Sequence, residues 1–195
     1  MIVWINGAFG VGKTITALEL QRRLPDSFVY DPESAGFFIR KNSPKSFSKG
    51  DFQDIPLWRK MNFEMLMFLS KSYDGVIIVP MTLVDKLYYD EIITKLINNG
   101  IEVKHFILYA SKETITKRLK KRSMGRTQAF AVQSIDRCLH SFDTVIKEIR
   151  IITDGKSIDD VVNEIAEKSN ITLTRDTRSR LRKRFDRFVL NVRRV

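Results

Sequence analysis

The feature that most constrains this chain is the block Gly7–Thr14, which has the pattern G-x-x-x-x-G-K-T. The apolar run Met1–Ile5 precedes the block and predicts a buried strand, and Lys13–Leu24 predicts a helix directly after it. A strand, a glycine turn and a helix N-terminus are the parts of a phosphate-binding loop, because the N–H groups of the loop and the helix dipole both point at the anion. The block therefore predicts a P-loop at the end of the first strand.

Every residue of the P-loop is a candidate for binding a nucleoside triphosphate. Its glycines let the backbone approach phosphate oxygens that a Cβ would exclude. Lys13 is expected to reach the β- and γ-phosphates, and the Thr14 hydroxyl is expected to bind Mg²⁺. The candidate nucleotide-binding residues are Gly7, Ala8, Phe9, Gly10, Val11, Gly12, Lys13 and Thr14.

Length and composition indicate one domain with a small appendage, because the chain has 195 residues of which 43% are apolar. That apolar content suits a packed core and excludes a disordered chain. The single cysteine, Cys138, excludes an internal disulfide and fits a reducing compartment. We expect Cys138 to be a small packed residue rather than a nucleophile.

The sequence features that bear on location favour the cytoplasm. Met1 belongs to the first predicted strand, so we expect no cleavable signal peptide. The longest apolar run, Val76–Met81, is far too short to cross a bilayer. We therefore expect a cytoplasmic protein, or one that lies on the inner face of the cell membrane.

Five short apolar runs alternate with longer helical stretches, which is typical of a parallel sheet covered by helices on both faces. The sequence thus predicts a three-layer α/β/α fold with a five-stranded parallel sheet. The predicted strands are Ile2–Ile5, Phe28–Tyr30, Val76–Val79, Lys104–Tyr109 and Ile149–Thr153. The predicted helices are Lys13–Leu24, Pro56–Tyr73, Asp85–Asn98, Lys112–Ser123, Gln128–Lys147 and Ile158–Ser169. Between Lys41 and Asp54 we expect a flexible loop near the site.

Ligands of such sheets bind at the carboxyl ends of the strands, so the residues that follow each strand are candidates for the site. Asp31 follows the second strand and is expected beside the P-loop, where it can accept a proton from a substrate hydroxyl or hold a water on Mg²⁺. Alternatively, Asp31 only caps the helix that begins after Pro32.

The third strand ends without a carboxylate, and Asp85 comes later as a helix cap or a displaced metal partner. This pattern argues against a motor-type ATPase and favours a small kinase.

After the fourth strand comes a basic stretch with three candidate catalytic arginines. Arg118 and Arg122 are four residues apart and share one face of a helix, and Arg126 follows Gly125, where the chain can bend. Small P-loop kinases close a lid that carries arginines over the transferring phosphoryl group. Arg118, Arg122 and Arg126 are therefore predicted to stabilise that group, and the alternative is a solvated basic helix.

The net charge of +11 is concentrated at the C-terminus, where Arg175–Val195 contains nine basic and two acidic residues. Segment 173–195 is predicted to be a basic amphipathic helix, separate from a kinase-like domain over 1–172. Its apolar stripe consists of Leu181, Phe185, Phe188, Val192 and Val195. The helix either packs on the domain with a basic outer face or lies on an anionic membrane surface. Nucleic-acid binding is a third and less favoured alternative.

Seven sequence blocks, most of them outside the P-loop, carry a resemblance to a known family. The blocks are Trp4–Gly10, Tyr30–Glu33, Asp51–Gln53, Pro56–Arg59, Val79–Thr82, Ala110–Thr114 and Ile135–Cys138. In these blocks, and across nearly its whole length, the chain resembles the tunicamycin-resistance proteins of bacilli. The fold of that family is similar to small-molecule kinases such as shikimate kinase and chloramphenicol phosphotransferase.

The resemblance implies an ATP-binding protein that protects bacteria from tunicamycin, a nucleoside antibiotic with sugars and a fatty acyl chain. It also implies Asp31 as the residue for base chemistry and an association with the membrane. Two hypotheses follow. In the first, the protein phosphorylates a hydroxyl of tunicamycin or a related nucleoside, with Lys13 and Thr14 holding ATP and Mg²⁺ and with Asp31 near the metal. In the second, it captures the drug at the membrane surface without chemistry.

Overall fold

A parallel sheet of five strands forms the centre of the protein. The structure, a computed structural model, describes residues 1–44, 50–120, 132 and 134–192. Its strands are β1 (Ile2–Gly7), β2 (Ser27–Val29), β3 (Val76–Pro80), β4 (Val103–Tyr109) and β5 (Ile149–Ile152), in the spatial order β2-β3-β1-β4-β5. All neighbouring strands pair in parallel, so the predicted five-stranded parallel sheet is confirmed.

The side chains of β1 alternate between the two faces of the sheet and enter two separate cores. Val3 and Ile5 belong to one core, whereas Ile2 and Trp4 belong to the other. All four side chains are fully buried, as expected for a central strand with helices on both sides. The three-layer arrangement therefore follows from an apolar strand that leaves neither face to solvent.

Helices pack on both faces of this sheet. They are α1 (Lys13–Arg23), α2 (Glu33–Lys41), α3 (Pro56–Ser72), α4 (Lys86–Tyr89, Asp90–Thr94 and Lys95–Asn98), α5 (Lys112–Lys120), α6 (Ile135–Thr144), α7 (Ile158–Lys168) and α8 (Arg180–Val192). The middle piece of α4 is a π-helical turn, and a 3₁₀ turn at Phe52–Asp54 precedes α3. Helices α1, α5, α6 and α7 supply the core that contains Val3, whereas α3 and α4 supply the other core.

Helix α2 is the helix after Pro32 that the capping alternative for Asp31 requires, and no range was predicted for it. It is nine residues long and contains Gly36, so its sequence signal is weak. Tertiary packing explains why it forms, because Gly36 lies against the ring of Phe52 and a Cβ there would be only 2.6 Å from Phe52 Cγ. The 3₁₀ turn that carries Phe52 falls within the predicted loop Lys41–Asp54, of which residues 45–49 lie outside the described part of the chain.

Most of the other predicted elements differ from the structure by one or two residues at an end, and three differences bear on the site. Strand β2 is observed one residue earlier than predicted, at Ser27–Val29. The helices predicted to end at Ser123 and to begin at Gln128 are observed as Lys112–Lys120 and Ile135–Thr144. Residues 121–131 and 133, between these two helices, lie outside the described residues.

The segment before α8 is held to the domain by a cluster of ion pairs. Arg178 contacts the carboxylates of Glu19, Asp176 and Asp186, with distances of 2.8 Å to Asp176 and 2.9 Å to Asp186. Glu19 lies on α1, and its side chain is only 1% exposed. A carboxylate buried this deeply needs a cation beside it, and Arg178 supplies that cation.

Two basic residues of α8, Lys183 and Arg187, face the domain, whereas Leu181 and Phe185 face away from it. Lys183 and Arg187 form ion pairs with Asp159 on α7, at 3.2 Å and 2.8 Å. Leu181 and Phe185 lie on the opposite face of the helix and are 77% and 60% exposed. The alternative of a helix that packs on the domain and turns its basic residues outward is therefore wrong for Lys183 and Arg187, because the half-buried Asp159 carboxylate attracts these two side chains inward.

We expect Arg178→Ala to lower the free energy of unfolding by about 3–5 kcal/mol, because the substitution removes the nearest cation of the buried Glu19 carboxylate and leaves it only Arg187, at 3.5 Å. The matched control is Arg182→Ala, since the Arg182 side chain is 67% exposed and pairs with Asp186. A surface pair of this kind should contribute less than about 1 kcal/mol. Urea unfolding of both variants measures the difference, and equal, small losses would contradict this account of the cluster.

A second readout of the same variant is the pH dependence of stability. Hydrogen bonds from Arg178 hold the pKa of the Asp176 carboxyl well below its ordinary value. Because the folded pKa is lowered, this stabilisation is present above the ordinary carboxyl pKa and is lost as the pH falls through the folded pKa. We expect the Tm of the native protein to fall on acidification below about pH 4, and Arg178→Ala to make that fall shallower.

Candidate active site

One cavity at the carboxyl edge of the sheet brings the P-loop and Asp31 together. The P-loop follows β1, Asp31 follows β2, and Pro80 is the last residue of β3. Because these strands are parallel neighbours, their carboxyl ends meet at one edge. The cavity is lined by Phe9, Gly10, Gly12, Lys13, Thr14, Asp31, Glu33 and Pro80. The structure thus places Lys13, Thr14 and Asp31 around the same space.

Glycine is required at two positions of the loop for different reasons. At Gly7, φ is 143° and a Cβ would lie 2.6 Å from the Leu108 carbonyl oxygen of β4, so no side chain fits. At Gly12, the N-cap of α1, there is room for a Cβ but φ is 113°, a value that other residues rarely adopt. The backbone can therefore turn sharply enough for α1 to begin at the cavity, where the N–H groups of its first turn are available to an anion.

Lys13 folds back across the loop to which it belongs. Its Nζ donates hydrogen bonds to the carbonyl oxygens of Gly7 and Ala8, at 2.9 Å and 3.2 Å, and lies 5.3 Å from the centroid of the Phe9 ring. These contacts hold the ammonium group against the curve of the loop. A positive charge held beside a helix N-terminus favours a polyanion such as a triphosphate.

Asn6 holds the P-loop in place, a role that the sequence analysis missed. Its side chain is fully buried at the end of β1. Its Oδ1 accepts hydrogen bonds from Gly7 N at 2.8 Å and Leu83 N at 2.9 Å, and its Nδ2 donates to the Leu83 carbonyl oxygen at 2.7 Å. The available signal was a polar residue at the end of an apolar strand, directly before the first glycine, because a buried amide must use its hydrogen-bonding groups.

The buried His105 of β4 contacts the Asn6 side chain that holds the P-loop. Its Nε2 lies 3.1 Å from Asn6 Nδ2, and its ring stacks on Tyr89 with 5.6 Å between the centroids. Burial lowers the pKa of His105 to about 3, so the imidazole is neutral at physiological pH and can accept a hydrogen bond from the amide. These contacts give His105 a structural role.

The segment after β3 supports the loop instead of supplying a carboxylate to the cavity. Thr82 Oγ1 donates a hydrogen bond to the Gly7 carbonyl oxygen at 2.9 Å. Asp85 caps α4, where its Oδ1 accepts from Leu87 N at 2.8 Å. Of the two roles considered for Asp85, the structure shows the helix cap.

Asp31 stabilises a turn and also lines the cavity. Its Oδ1 accepts a hydrogen bond from the backbone N–H of Glu33 at 3.1 Å, which stabilises the start of α2. The N-cap residue of α2 is Pro32, which has no side-chain acceptor to offer. Asp31 therefore supports the helix start and also lines the cavity beside Lys13.

A second carboxylate, that of Glu33, lines the same cavity and was not among the predicted site residues. The available signal was a pair of acidic residues on either side of Pro32, directly after a strand. Carboxylate and hydroxyl oxygens are ligands that suit Mg²⁺. Within the described part of the chain, Thr14, Asp31 and Glu33 are the oxygen-bearing side chains of this cavity that could hold the metal.

Arg118 ties the P-loop to the segment after β5. Its Nη1 donates to the Val11 carbonyl oxygen at 3.1 Å and to Thr153 Oγ1 at 3.0 Å, and its Nη2 donates to the Thr153 carbonyl oxygen at 2.9 Å. These contacts give Arg118 a positioning role toward the P-loop backbone. Its action on a transferring phosphoryl group stays a prediction. The same holds for Arg122 and Arg126, which lie outside the described residues.

We expect Arg118→Ala to weaken ATP binding by about tenfold or more and to lower the free energy of unfolding by about 1–3 kcal/mol, because hydrogen bonds of a charged group are lost. Lys117→Ala removes the neighbouring exposed cation and is the matched control. Calorimetric titration with ATP and thermal unfolding measure the two effects. If Arg118→Ala bound ATP as tightly as the control, the positioning role would be wrong.

The side chains of Cys138 and Arg59 are buried and make structural contacts. Cys138 is fully buried, and burial raises the pKa of its thiol, as expected of a packed residue. Arg59 is 6% exposed; its Nε pairs with Glu91 and its Nη1 donates to the Gln53 carbonyl oxygen, each at 2.6 Å. Both residues stabilise the packing around the site.

Solved structures with this fold include one close match in sequence and several kinases. The tunicamycin resistance protein of Deinococcus radiodurans is 30% identical, with a TM-score of 0.75, and the match covers 90% of this chain and 99% of that one. A shikimate kinase from Bacteroides thetaiotaomicron is 16% identical, with a TM-score of 0.60 and coverage of 88% and 99%. A gluconokinase from Sinorhizobium meliloti 1021 is 14% identical, with a TM-score of 0.56 and coverage of 84% and 87%. Neither a protein-family model nor a curated protein matches the chain.

The match to the Deinococcus protein differs in kind from the matches to the kinases. At 14% and 16% identity, the two kinases show a common P-loop fold and nothing about the substrate of this chain. The Deinococcus protein combines 30% identity with coverage of nearly all of both chains. The resemblance carried by the sequence blocks is thereby confirmed, and the chain belongs to the tunicamycin-resistance protein family.

Proposed function

We propose that the protein is an ATP- and Mg²⁺-dependent phosphotransferase that acts on a hydroxyl of tunicamycin or a related nucleoside compound. The observation that carries this proposal is the single cavity lined by Lys13, Thr14 and Asp31. A protein that only sequesters a drug does not need a carboxylate beside its phosphate-binding loop. The kinase-like fold and the family relationship support the same conclusion.

The residues of the cavity fit the phosphates of ATP and a magnesium ion. Gly7 and Gly12 form a cradle whose backbone other residues could not adopt, and the Lys13 ammonium group is held against it. Thr14 and Asp31, with Glu33 beside them, would hold Mg²⁺, directly or through water. When bound, the ion supplies positive charge that offsets the charge on the phosphate oxygens.

The residues of the chain have separate tasks in the proposed reaction. Asp31 orients the acceptor hydroxyl and takes its proton as the new O–P bond forms and the bond from the γ-phosphorus to ADP breaks. Lys13 holds positive charge against the phosphate oxygens throughout. Arg118 keeps the P-loop in shape, and it is proposed, with Arg122 and Arg126, to stabilise the charge of the transferring group.

Mass spectrometry of tunicamycin after incubation with the protein, ATP and Mg²⁺ tests this proposal. The expected product is heavier by one phosphate and forms together with an equal amount of ADP. A reaction with ADP in place of ATP is the control and should give no product. If calorimetry showed that tunicamycin binds but it were recovered unmodified, the second candidate function would replace the first.

The second candidate is capture of tunicamycin at a membrane surface, with ATP as a bound ligand and no chemistry. It is favoured by α8, whose Leu181 and Phe185 point away from the domain and are 77% and 60% exposed. Arg182 and Arg184 lie beside this stripe and are exposed as well. Such a helix can bury its apolar face in lipid and place its arginines at anionic head groups. No helix within residues 1–44, 50–120 and 134–192 is long and apolar enough to span a membrane.

We expect Phe185→Asp to weaken binding to anionic vesicles about tenfold or more, because it removes a ring that would be buried in lipid and adds a carboxylate that the anionic surface repels. Phe38→Asp is the matched control, since Phe38 on α2 is 59% exposed and Phe185 is 60% exposed. Sedimentation with vesicles at low and high salt measures binding, and salt should weaken what the arginines contribute. Equal vesicle binding by the two variants would rule out the membrane contact through α8.

A further inference from the structure

An apolar groove lies along α3, outside the cavity that contains the P-loop. Its volume is about 610 Å³, which is within the usual range for small-molecule sites. Residues at the end of β2 and the start of α2 form one wall, namely Tyr30, Ser34 and Ala35. The wall on α3 consists of Leu57, Lys60, Met61, Glu64, Met65 and Phe68.

Helix α3 is apolar on two faces, and the fold uses only one of them. Trp58 and Leu66 point into the core and are fully buried. Leu57, Met65 and Phe68 lie on the groove side and are 52%, 42% and 60% exposed. Apolar side chains that are exposed together in one concave surface mark a binding site, whereas scattered ones do not.

The polar groups at the base of the groove are already satisfied within the protein. Tyr30 Oη donates a hydrogen bond to Asn62 Oδ1 at 2.7 Å, and Asn62 Nδ2 donates to the Trp58 carbonyl oxygen at 2.8 Å. Burial raises the pKa of Tyr30 to about 12, so its hydroxyl stays neutral. The other polar side chains that line the groove are exposed to solvent. The base of the groove is therefore suited to hydrocarbon rather than to a polar group.

The groove and the cavity of the candidate active site are lined by consecutive residues. Tyr30 lines the groove, and the next residue, Asp31, lines the cavity with the P-loop. The Cα atoms of neighbouring residues are about 3.8 Å apart. From Leu57 to Phe68, α3 offers a path of about 16 Å. A molecule whose hydroxyl lies at Asp31 can therefore extend an attached chain along this helix.

We propose that the groove binds the hydrocarbon chain of the phosphoryl acceptor. This inference rests on the proposed function, in which Asp31 contacts the acceptor hydroxyl. The position of the groove next to Asp31 identifies the occupant, because a membrane or a second copy of the chain would not require that position. Each buried methylene group should tighten binding about fourfold.

Tunicamycin and its deacylated core are the probes, and NMR of ¹³C-methyl methionine is the first readout. Met61 and Met65 line the groove, whereas Met67 and Met81 are buried in the core. With ATP present, both probes are expected to bind. Tunicamycin should shift the signals of Met61 and Met65 and leave those of Met67 and Met81 in place, and the deacylated core should shift none of the four.

The second readout is affinity, measured by calorimetry in buffer without lipid or detergent. Phe68→Ser is the groove variant, and Phe185→Ser is its matched control because both rings are 60% exposed on a helix surface. Phe68→Ser should weaken tunicamycin binding at least tenfold and leave the affinities for ATP and for the deacylated core unchanged. Phe185→Ser should bind both probes as the native protein does.

The experiments give different results if the groove does not bind the acceptor chain and if the protein is not a phosphotransferase. If tunicamycin is phosphorylated but Phe68→Ser binds it like the control, the groove inference is overturned and the proposed function stands. If tunicamycin neither binds nor reacts, octyl glucoside below its micelle concentration becomes the probe. Shifts of Met61 and Met65 with it support a lipid-tailed acceptor other than tunicamycin, and their absence overturns the inference. Shifts caused by protein concentration alone, or by vesicles alone, would assign the groove to a second copy or a membrane and also overturn it.

Discussion

Lys13→Ala is expected to abolish ATP binding while the protein stays folded. Its ammonium group is the charge held against the curve of the P-loop, and losing it should cost about 2–5 kcal/mol of binding free energy. The start of a helix accepts alanine well. Within the protein, the substitution removes hydrogen bonds to the Gly7 and Ala8 carbonyl oxygens, so we expect the free energy of unfolding to fall by only about 1–2 kcal/mol.

Lys86→Ala is the matched control for this substitution. Lys86 lies at the start of α4, and its side chain is 60% exposed. Its removal should change neither ATP affinity, measured by calorimetric titration, nor stability beyond about 0.5 kcal/mol. If Lys13→Ala bound ATP with the affinity of this control, the assignment of the P-loop as a nucleotide site would fail.

Asp31→Asn is expected to keep ATP binding and to reduce phosphorylation of the acceptor by about 10²–10⁴-fold, the usual contribution of a positioned general base. An asparagine side chain can still accept the hydrogen bond that the Glu33 N–H gives to Asp31 Oδ1. The start of α2 should therefore be preserved, so a loss of activity would not come from a loss of structure. Phosphate transfer measured by mass spectrometry, together with thermal unfolding, separates the two effects.

The structure offers a matched control for the capping role alone. Asp85 accepts hydrogen bonds from the N–H groups of Leu87 and Tyr88 at the start of α4. Asp85→Asn should leave both phosphorylation and ATP affinity at native values. If Asp31→Asn also retained full activity, only its contribution to the turn would remain.

Local sequence pattern was sufficient to predict the P-loop. The apolar strand, the glycines and the helix start are consecutive in the chain, so their geometry depends on neighbouring residues. The meeting of Asp31 with Lys13 was predictable for a related reason, because parallel strands with short connections bring their carboxyl ends to one edge. Glu33 lies at the same edge and could have been predicted from the same rule.

The supports of the site could not be predicted in this way, because they join residues that are far apart in the chain. Asn6 holds Leu83, and Arg118 holds Val11 and Thr153. Nothing in the local sequence around Arg118 distinguishes a guanidinium group that ties two loops from one that closes over a phosphate. The packing of Gly36 of α2 against the ring of Phe52 is a contact of the same kind.

The sequence by itself determined that this is a parallel α/β protein with a P-loop, that Asp31 follows the second strand, and that α8 has one apolar and one basic face. These properties depend on the spacing of apolar residues and on the order of strands and helices along the chain. Only the tertiary structure decided which face of α8 meets the domain, because the buried Glu19 and the half-buried Asp159 draw Arg178, Lys183 and Arg187 inward. It also decided that α3 keeps a second apolar face beside Asp31, since periodicity alone does not show which of two apolar stripes the core will cover.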